Sequence, residues 1–131
     1  MKTKILSFVV KNTWLPGTDH GWGNGYIVIF KDHPMYGKHY NDINGDISVH
    51  GGLTFSHHTS DIENFTGYSD EEIKDGWVIG FDTAHLHDNS YNWPKREVVR
   101  ETERLRKQMI ELSFGYGKAC LLYTSPSPRD S

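Results

Sequence analysis

Apolar residues in this chain come in short bursts between polar, glycine-rich stretches, and only one segment repeats them at helical spacing. Residues 4–11 include Ile5-Leu6-Ser7-Phe8-Val9-Val10, and this β-branched and aromatic content predicts a first strand. Leu15-Pro16-Gly17-Thr18-Asp19 carries turn chemistry. His20-Gly21-Trp22-Gly23-Asn24-Gly25 reads as a flexible lead into Tyr26-Ile27-Val28-Ile29-Phe30, the clearest strand. Residues 32–42 form a long polar loop, and Asn44-Gly45-Asp46 is a turn signal. A further strand is expected over residues 47–55, interrupted at Gly51-Gly52 by a bulge or a close backbone approach. Ser69 followed by Glu72 is a capping-box pattern, good for one turn ending at Gly76. Residues 77–81 supply the last strand.

Pro94 then opens the one strong helix. Val98, Thr102, Leu105, Met109 and Leu112 recur at steps of three and four, which places them on one stripe. Glu103 and Lys107 fall on the other face, and Gly115 and Gly117 end the run. Three to four strands and one amphipathic helix predict an α+β fold: a small antiparallel sheet with the C-terminal helix packed on a face.

The tail changes the accounting. Cys120-Leu121-Leu122-Tyr123-Thr124-Ser125-Pro126-Ser127-Pro128-Arg129-Asp130 resembles the translation of a transposase-derived sequencing adapter, as in a chain from assembled environmental DNA. The expected organisation is therefore one α+β domain over residues 1–119 and a non-native tail over 120–131, with the native C-terminus lost near Ala119. Cys120, the lone cysteine, falls in that tail, so a disulfide scaffold and a cysteine-ligated zinc site are excluded for the domain. About 119 residues suffice to bury a core without such staples. The formal net charge of −3, with both signs mixed, argues against broad binding to nucleic acid. No run is apolar and long enough to span a bilayer, and the apolar stretch after Lys4 is too short for a signal peptide. A cytoplasmic protein without membrane contact is the expectation.

The eight histidines all lie between His20 and His87, and two of them follow apolar runs. His50, before Gly51 and Gly52, has the chemistry of a phosphate donor, a general base or a metal ligand. The two glycines, with Thr54 just beyond, would let backbone N–H groups approach an anion. The alternative is a bulge whose histidine bonds a neighbouring strand. Asp82, His85, His87 and Asp88 follow the last strand. Asp82 with His85 suits a carboxylate orienting an imidazole, and Asp82, His85 and Asp88 have the ligand types for a divalent metal. The alternative has Asp82 capping a turn and His85 packed under the helix. His33, Tyr36, Lys38 and Tyr40, with His39, form an aromatic and basic loop suited either to stacking on a base and binding phosphate or to packing on the sheet as a lid. His57-His58 reads as a solvated loop, and Arg96, Arg100, Arg104 and Lys107 read as a solvated helix face or an anion-binding comb. Of Trp14, Trp22, Trp77 and Trp93, Trp22 stands among glycines and is the candidate to stack on a ligand.

Three motifs occur in order: Lys31-Asp32-His33-Pro34-Met35-Tyr36-Gly37-Lys38, His50-Gly51-Gly52-Leu53-Thr54-Phe55 and Gly80-Phe81-Asp82-Thr83-Ala84-His85. Together, over residues 26–112, they resemble a family of small, mostly uncharacterised bacteriophage and prophage proteins. That family has a small residue where His87 stands and an acid at Asp88. The resemblance implies a phage gene, a product in the host cytoplasm and a role against host defence. The first functional reading is then a binding protein, able to oligomerise, that sequesters a small phosphorylated ligand such as a nucleotide immune signal. The second is a phosphodiesterase-type enzyme acting on such a ligand with His50 and His85 as acid and base, Asp82 orienting His85, and Asp88 added if a metal assists. The third is an inhibitor that binds a host defence protein directly, through the acidic stretches at 61–63 and 70–72.

Overall fold

In the computed structural model, residues 4–12, 20–62, 67–85 and 87–115 are described. The expected turn at 15–19, Trp14 and the segment 116–131 with Cys120 lie outside them. Leu6–Lys11 forms β1, Gly23–Ile29 forms β2 and Tyr40–Ile43 a short helix α1. Phe55–His58 forms β3, followed by a 3-10 turn at Thr59–Asp61, and Trp77–Phe81 forms β4. Lys95–Gly115 is the long helix α2. The sheet order is β1-β2-β4-β3, with every pairing antiparallel. α2 packs on β1 and β2, so the fold is α+β, as the periodicity predicts. Among the described residues no helix is long and apolar enough to cross a membrane.

Strand alternation sends side chains to two faces. Ile27, Ile29, Ile79 and Phe81 meet Val98, Leu105 and Met109 of α2 in the main core. Tyr26, Val28 and Val78 point the other way and pack with Phe8 and Phe55. Phe8, Tyr26, Gly80 and Phe55 stand opposite one another across the four strands. The Tyr26 ring fills the space over Gly80, and its centroid lies 5.1 Å from Phe8 and 5.3 Å from Phe55. The two central strands are thus buried on both faces, which is why their sequences are nearly continuous apolar runs.

The second half of the glycine-rich lead, residues 23–25, is strand and not flexible linker. β2 begins at Gly23, and a side chain at Gly25 would collide with Thr102 of α2 and the Phe81 ring. Glycine here lets the helix approach the sheet. The expected strand over 47–55 is also corrected: strand pairing starts only at Phe55. Gly51 and Gly52 adopt φ of +69° and +81°, and the Gly52 N–H bonds back to the Val49 carbonyl at 2.9 Å, so the chain turns instead of extending. Side-chain amides replace the missing strand partners. Gln108 on α2 accepts from the Ser48 N–H (2.8 Å) and donates to the Ser48 carbonyl (2.7 Å). Asn44, just after α1, accepts from the Leu53 N–H (2.7 Å) and donates to its carbonyl (3.2 Å). Asn44→Ala removes two bonds from partly buried backbone groups. The expected loss is about 1–2 kcal/mol in a denaturation curve, and an unchanged midpoint would show that the clamp contributes nothing.

His57 and His58 belong to β3 and not to a solvated loop. His57 packs on Phe55, and His58 Nδ1 caps the 3-10 turn by accepting from the Ser60 N–H at 3.0 Å. The capping box at Ser69 and Glu72 forms as expected (2.9 and 3.2 Å).

Candidate functional site

The site is built where β4 runs out. Thr83, just past the strand, donates to the Gly23 carbonyl (2.6 Å) and accepts from the Gly21 N–H through its own carbonyl (2.8 Å), which fastens the strand end to the lead of β2. Asp82 folds over this turn, its Oδ1 accepting from the Ala84 N–H at 3.1 Å. The chain turns again through His87, at φ +75°, and brings Asp88 back under His85. The Asp88 N–H bonds the His85 carbonyl (2.9 Å), and Asp88 Oδ2 accepts from the His85 N–H (2.9 Å). Two hydrogen bonds within four residues hold this carboxylate in place.

The turn after β4 faces the loop that carries His50. His50 Nε2 donates to both oxygens of Asp88, at 2.9 and 3.0 Å. His85 Nδ1 donates to Asp88 Oδ2 at 3.0 Å. One carboxylate, 6% exposed, therefore lies between two imidazoles whose centroids are 5.2 Å apart. The other His85 nitrogen, Nε2, lies 3.6 Å from Asp82 Oδ1. Thr54 in turn donates to Asp82 Oδ2 at 2.9 Å. His50 packs on Trp93 at 4.1 Å between centroids, and its N–H donates to Glu101 of α2 at 2.8 Å. Glu101 is locked by Arg104 through two bonds of 3.0 and 2.8 Å.

Electrostatics follow from these bonds. Burial, the largest single influence, pushes the Asp88 carboxyl up, but donation from the His50 ring, the His85 N–H and the His85 ring together outweighs it and leaves the pKa below the usual aspartate value of 3.8. Glu101 is lowered in the same way, with burial opposed by Arg104 and the His50 N–H. Asp88 is thus an ionised acceptor near neutral pH, which assigns the facing ring nitrogens as donors.

The glycine pair serves a different purpose from the expected anion cradle. The N–H groups of His50, Gly52 and Leu53 bond to Glu101, Val49 and Asn44. Gly51 instead makes room: a Cβ there would collide with the His85 ring. His50, Gly51, Thr54, Asp82, His85 and Asp88, up to 38 residues apart, thus meet in one place. Of these, His50, His85 and Asp88 present their ligating atoms within 4.8 Å of one another, the types that hold a metal ion. Asp82 sits on the far nitrogen of His85, so His50 takes the place expected for it in that set.

Other expected positions lie elsewhere. His33 is buried, with Nδ1 accepting from the Met35 N–H (3.0 Å) and Nε2 donating to the Met109 carbonyl (2.8 Å). Burial lowers its pKa, and both nitrogens are spent tying the loop to α2. The Tyr36 hydroxyl donates to the Asp75 carbonyl (2.8 Å), and the Lys38 carbonyl accepts from the Trp77 indole (2.9 Å). Both contacts stand at the start of β4, about 16 Å along the strand from Asp82. Tyr40 packs against the core, its ring 4.2 Å from His39. Trp22 bonds the Trp93 carbonyl through its N–H (2.8 Å) and lies under Lys95, at the cluster's end of the sheet. Arg96 and Arg100 pair with Glu97, both at 3.6 Å. Glu101 and Trp93 are site residues that the sequence does not announce: Glu101 reads as a partner for helix arginines, and nothing links it to a histidine 51 positions earlier. No family model, no curated protein and no solved structure matches this chain.

Proposed function

We propose that this protein takes a small phosphorylated ligand, of the nucleotide immune-signal class, at the His50–Asp88–His85 cluster and cleaves it by hydrolysis. The observation that carries this reading is one buried carboxylate holding two imidazoles 5.2 Å apart in fixed orientation. Hydrolysis of a phosphodiester adds water across a P–O bond. The attacking water gives up a proton and the departing oxygen receives one, so two oriented proton-transfer groups are the minimum equipment. Carboxylate-oriented imidazoles provide it, and Thr54 with Asp82 gives His85 a second support. Positive charge on the imidazoles, or on a cation between them, offsets the phosphate. The ligand class and the anti-defence role, in the cytoplasm of an infected host, rest on the resemblance to phage proteins. Cleavage ranks above simple sequestration because the cluster contains oriented acid–base groups, and the N–H groups of His50, Gly52 and Leu53 are already engaged.

The test is a chromatographic one. Protein is incubated with cyclic and linear dinucleotides and with cyclic mononucleotides, heat-denatured, and the released ligand is analysed. Products that vanish in His50→Ala and His85→Ala variants are the expected result. Intact released ligand would replace cleavage by sequestration. No thermal shift and no turnover with any nucleotide would overturn the reading and leave a direct protein–protein inhibitor.

A further inference from the structure

We infer that the cluster is the binding site of a single divalent transition-metal ion, zinc in first place, held by His50 Nε2, His85 Nδ1 and the carboxylate of Asp88. The inference rests on the reading above and changes one role in it: with the ion bound, His50 and His85 serve as ligands instead of proton-transfer groups, and the ion is the group that meets the phosphate and activates the water. Binding of the ion itself stands independently of any nucleotide.

Four observations converge. The first is the set of edges. His50 Nε2 lies 2.9 and 3.0 Å from the Asp88 oxygens, and His85 Nδ1 lies 3.0 Å from Oδ2. Neighbouring ligands bonded to one ion at roughly 2.0–2.2 Å are separated by about 3.0–3.5 Å. The edges to Asp88 are at or just under that range and all three ligating atoms lie within 4.8 Å of one another, so a closing movement of the two imidazoles makes the cluster one face of a coordination shell. The protons now on the two ring nitrogens would leave as the ion enters.

The second is the outer support. A metal-bound imidazole characteristically gives its other N–H to a carboxylate, which fixes ring and tautomer. His85 is placed for this: with Nδ1 directed at the cluster, Nε2 faces Asp82 Oδ1 at 3.6 Å, just beyond hydrogen-bond length. Asp82 is itself held by Thr54 at 2.9 Å and by the Ala84 N–H at 3.1 Å. A site made only for structural hydrogen bonding needs no second carboxylate on the far side of the ring.

The third is charge. Asp82 and Asp88 place two carboxylates around two imidazoles, while the nearby Glu101 is already balanced by Arg104. A divalent cation balances the remaining pair. The fourth is access. Asp88 is 6% exposed, but the side chains of His50 and His85 are 25% and 35% exposed, so the triangle is walled on the carboxylate side and open on the imidazole side. Three protein ligands with open positions are the pattern of catalytic rather than structural zinc sites. Two nitrogen ligands also select against magnesium and calcium, which prefer oxygen.

Purified full-length chain, carrying Cys120→Ser so that the lone thiol cannot ligate, is stripped with chelator and titrated with cobalt(II) and zinc. The expected result is one ion per chain, visible cobalt absorption bands, a zinc-dependent rise in melting temperature and little response to magnesium. His85→Ala should abolish the bands while circular dichroism remains folded. Asp82→Asn removes no ligand, so it should keep the stoichiometry and weaken affinity by about 10- to 100-fold. Absence of cobalt bands and of any zinc shift in the parent chain overturns the site, as does unchanged affinity in both variants. Nucleotide turnover undiminished after chelation overturns a role for the ion in hydrolysis while leaving the hydrolase reading intact. Metal binding without any nucleotide response does the reverse.

Discussion

Asp88→Asn, measured in chelator, is expected to destabilise the fold by about 3 kcal/mol near neutral pH and to remove whatever activity the cluster has. Asp88 is 6% exposed and accepts from the His50 ring, the His85 ring and the His85 N–H. An amide has the same shape but a single acceptor oxygen, and its NH2 group would face N–H donors. The loss therefore combines missing charge-assisted bonds with a buried mismatch. The pH dependence gives an independent check. The folded carboxyl has a pKa below the unfolded value of 3.8, so its contribution is fully present above that value and is lost as pH falls through the folded pKa. The stability gap between parent and variant should hold from neutral pH down to about 5 and then narrow below about pH 4. Equilibrium denaturation at a series of pH values reads it directly. A gap that stays constant to pH 3 would mean that the carboxylate is not held ionised by its neighbours.

Gly51→Ala is expected to cost about 3 kcal/mol and to displace His85. Two penalties add at this position. Its φ of +69° is the left-handed region, worth about 1–2 kcal/mol to an L side chain, and the new methyl would collide with the His85 imidazole. Two other glycines separate the terms. Gly37 has φ +80° with nothing near its would-be Cβ, so Gly37→Ala should show the backbone penalty alone, about 1–2 kcal/mol. Gly45 has open space and no positive φ, so Gly45→Ala should stay within about 0.5 kcal/mol of the parent. Histidine chemical shifts should move for Gly51→Ala and stay fixed for the other two. Equal losses at Gly51 and Gly37 would show that His85 does not rest on the glycine.

The elements were legible wherever side-chain period and burial coincide. α2 presents Val98, Thr102, Leu105 and Met109 to the sheet because these positions share one side of a 3.6-residue helix, and each is buried. β4 matches its sequence limits, Trp77–Phe81, because a five-residue apolar run between Gly76 and Asp82 has no other way to bury both faces. Legibility failed where partners are distant. Residues 47–54 have strand composition, yet Ser48 and Leu53 bond to the side chains of Gln108 and Asn44, and composition cannot say which polar groups will stand opposite. The loop around His33 shows the converse. Its histidine has the residue type of a ligand-binding group, but burial against Met109 assigns both nitrogens to the fold.

Local spacing alone determined that this chain makes a small sheet with one amphipathic helix, because backbone periods of two and 3.6 act over neighbouring residues. It also singled out His50, Asp82, His85 and Asp88, because they are polar groups that follow short apolar runs. Only the tertiary structure decided that Asp88 stands between the two imidazoles, that Asp82 serves the far side of His85, and that Glu101 pins His50 from the helix. Those choices depend on how two turns and a helix meet in space, and such long-range contacts leave no periodic trace along the chain.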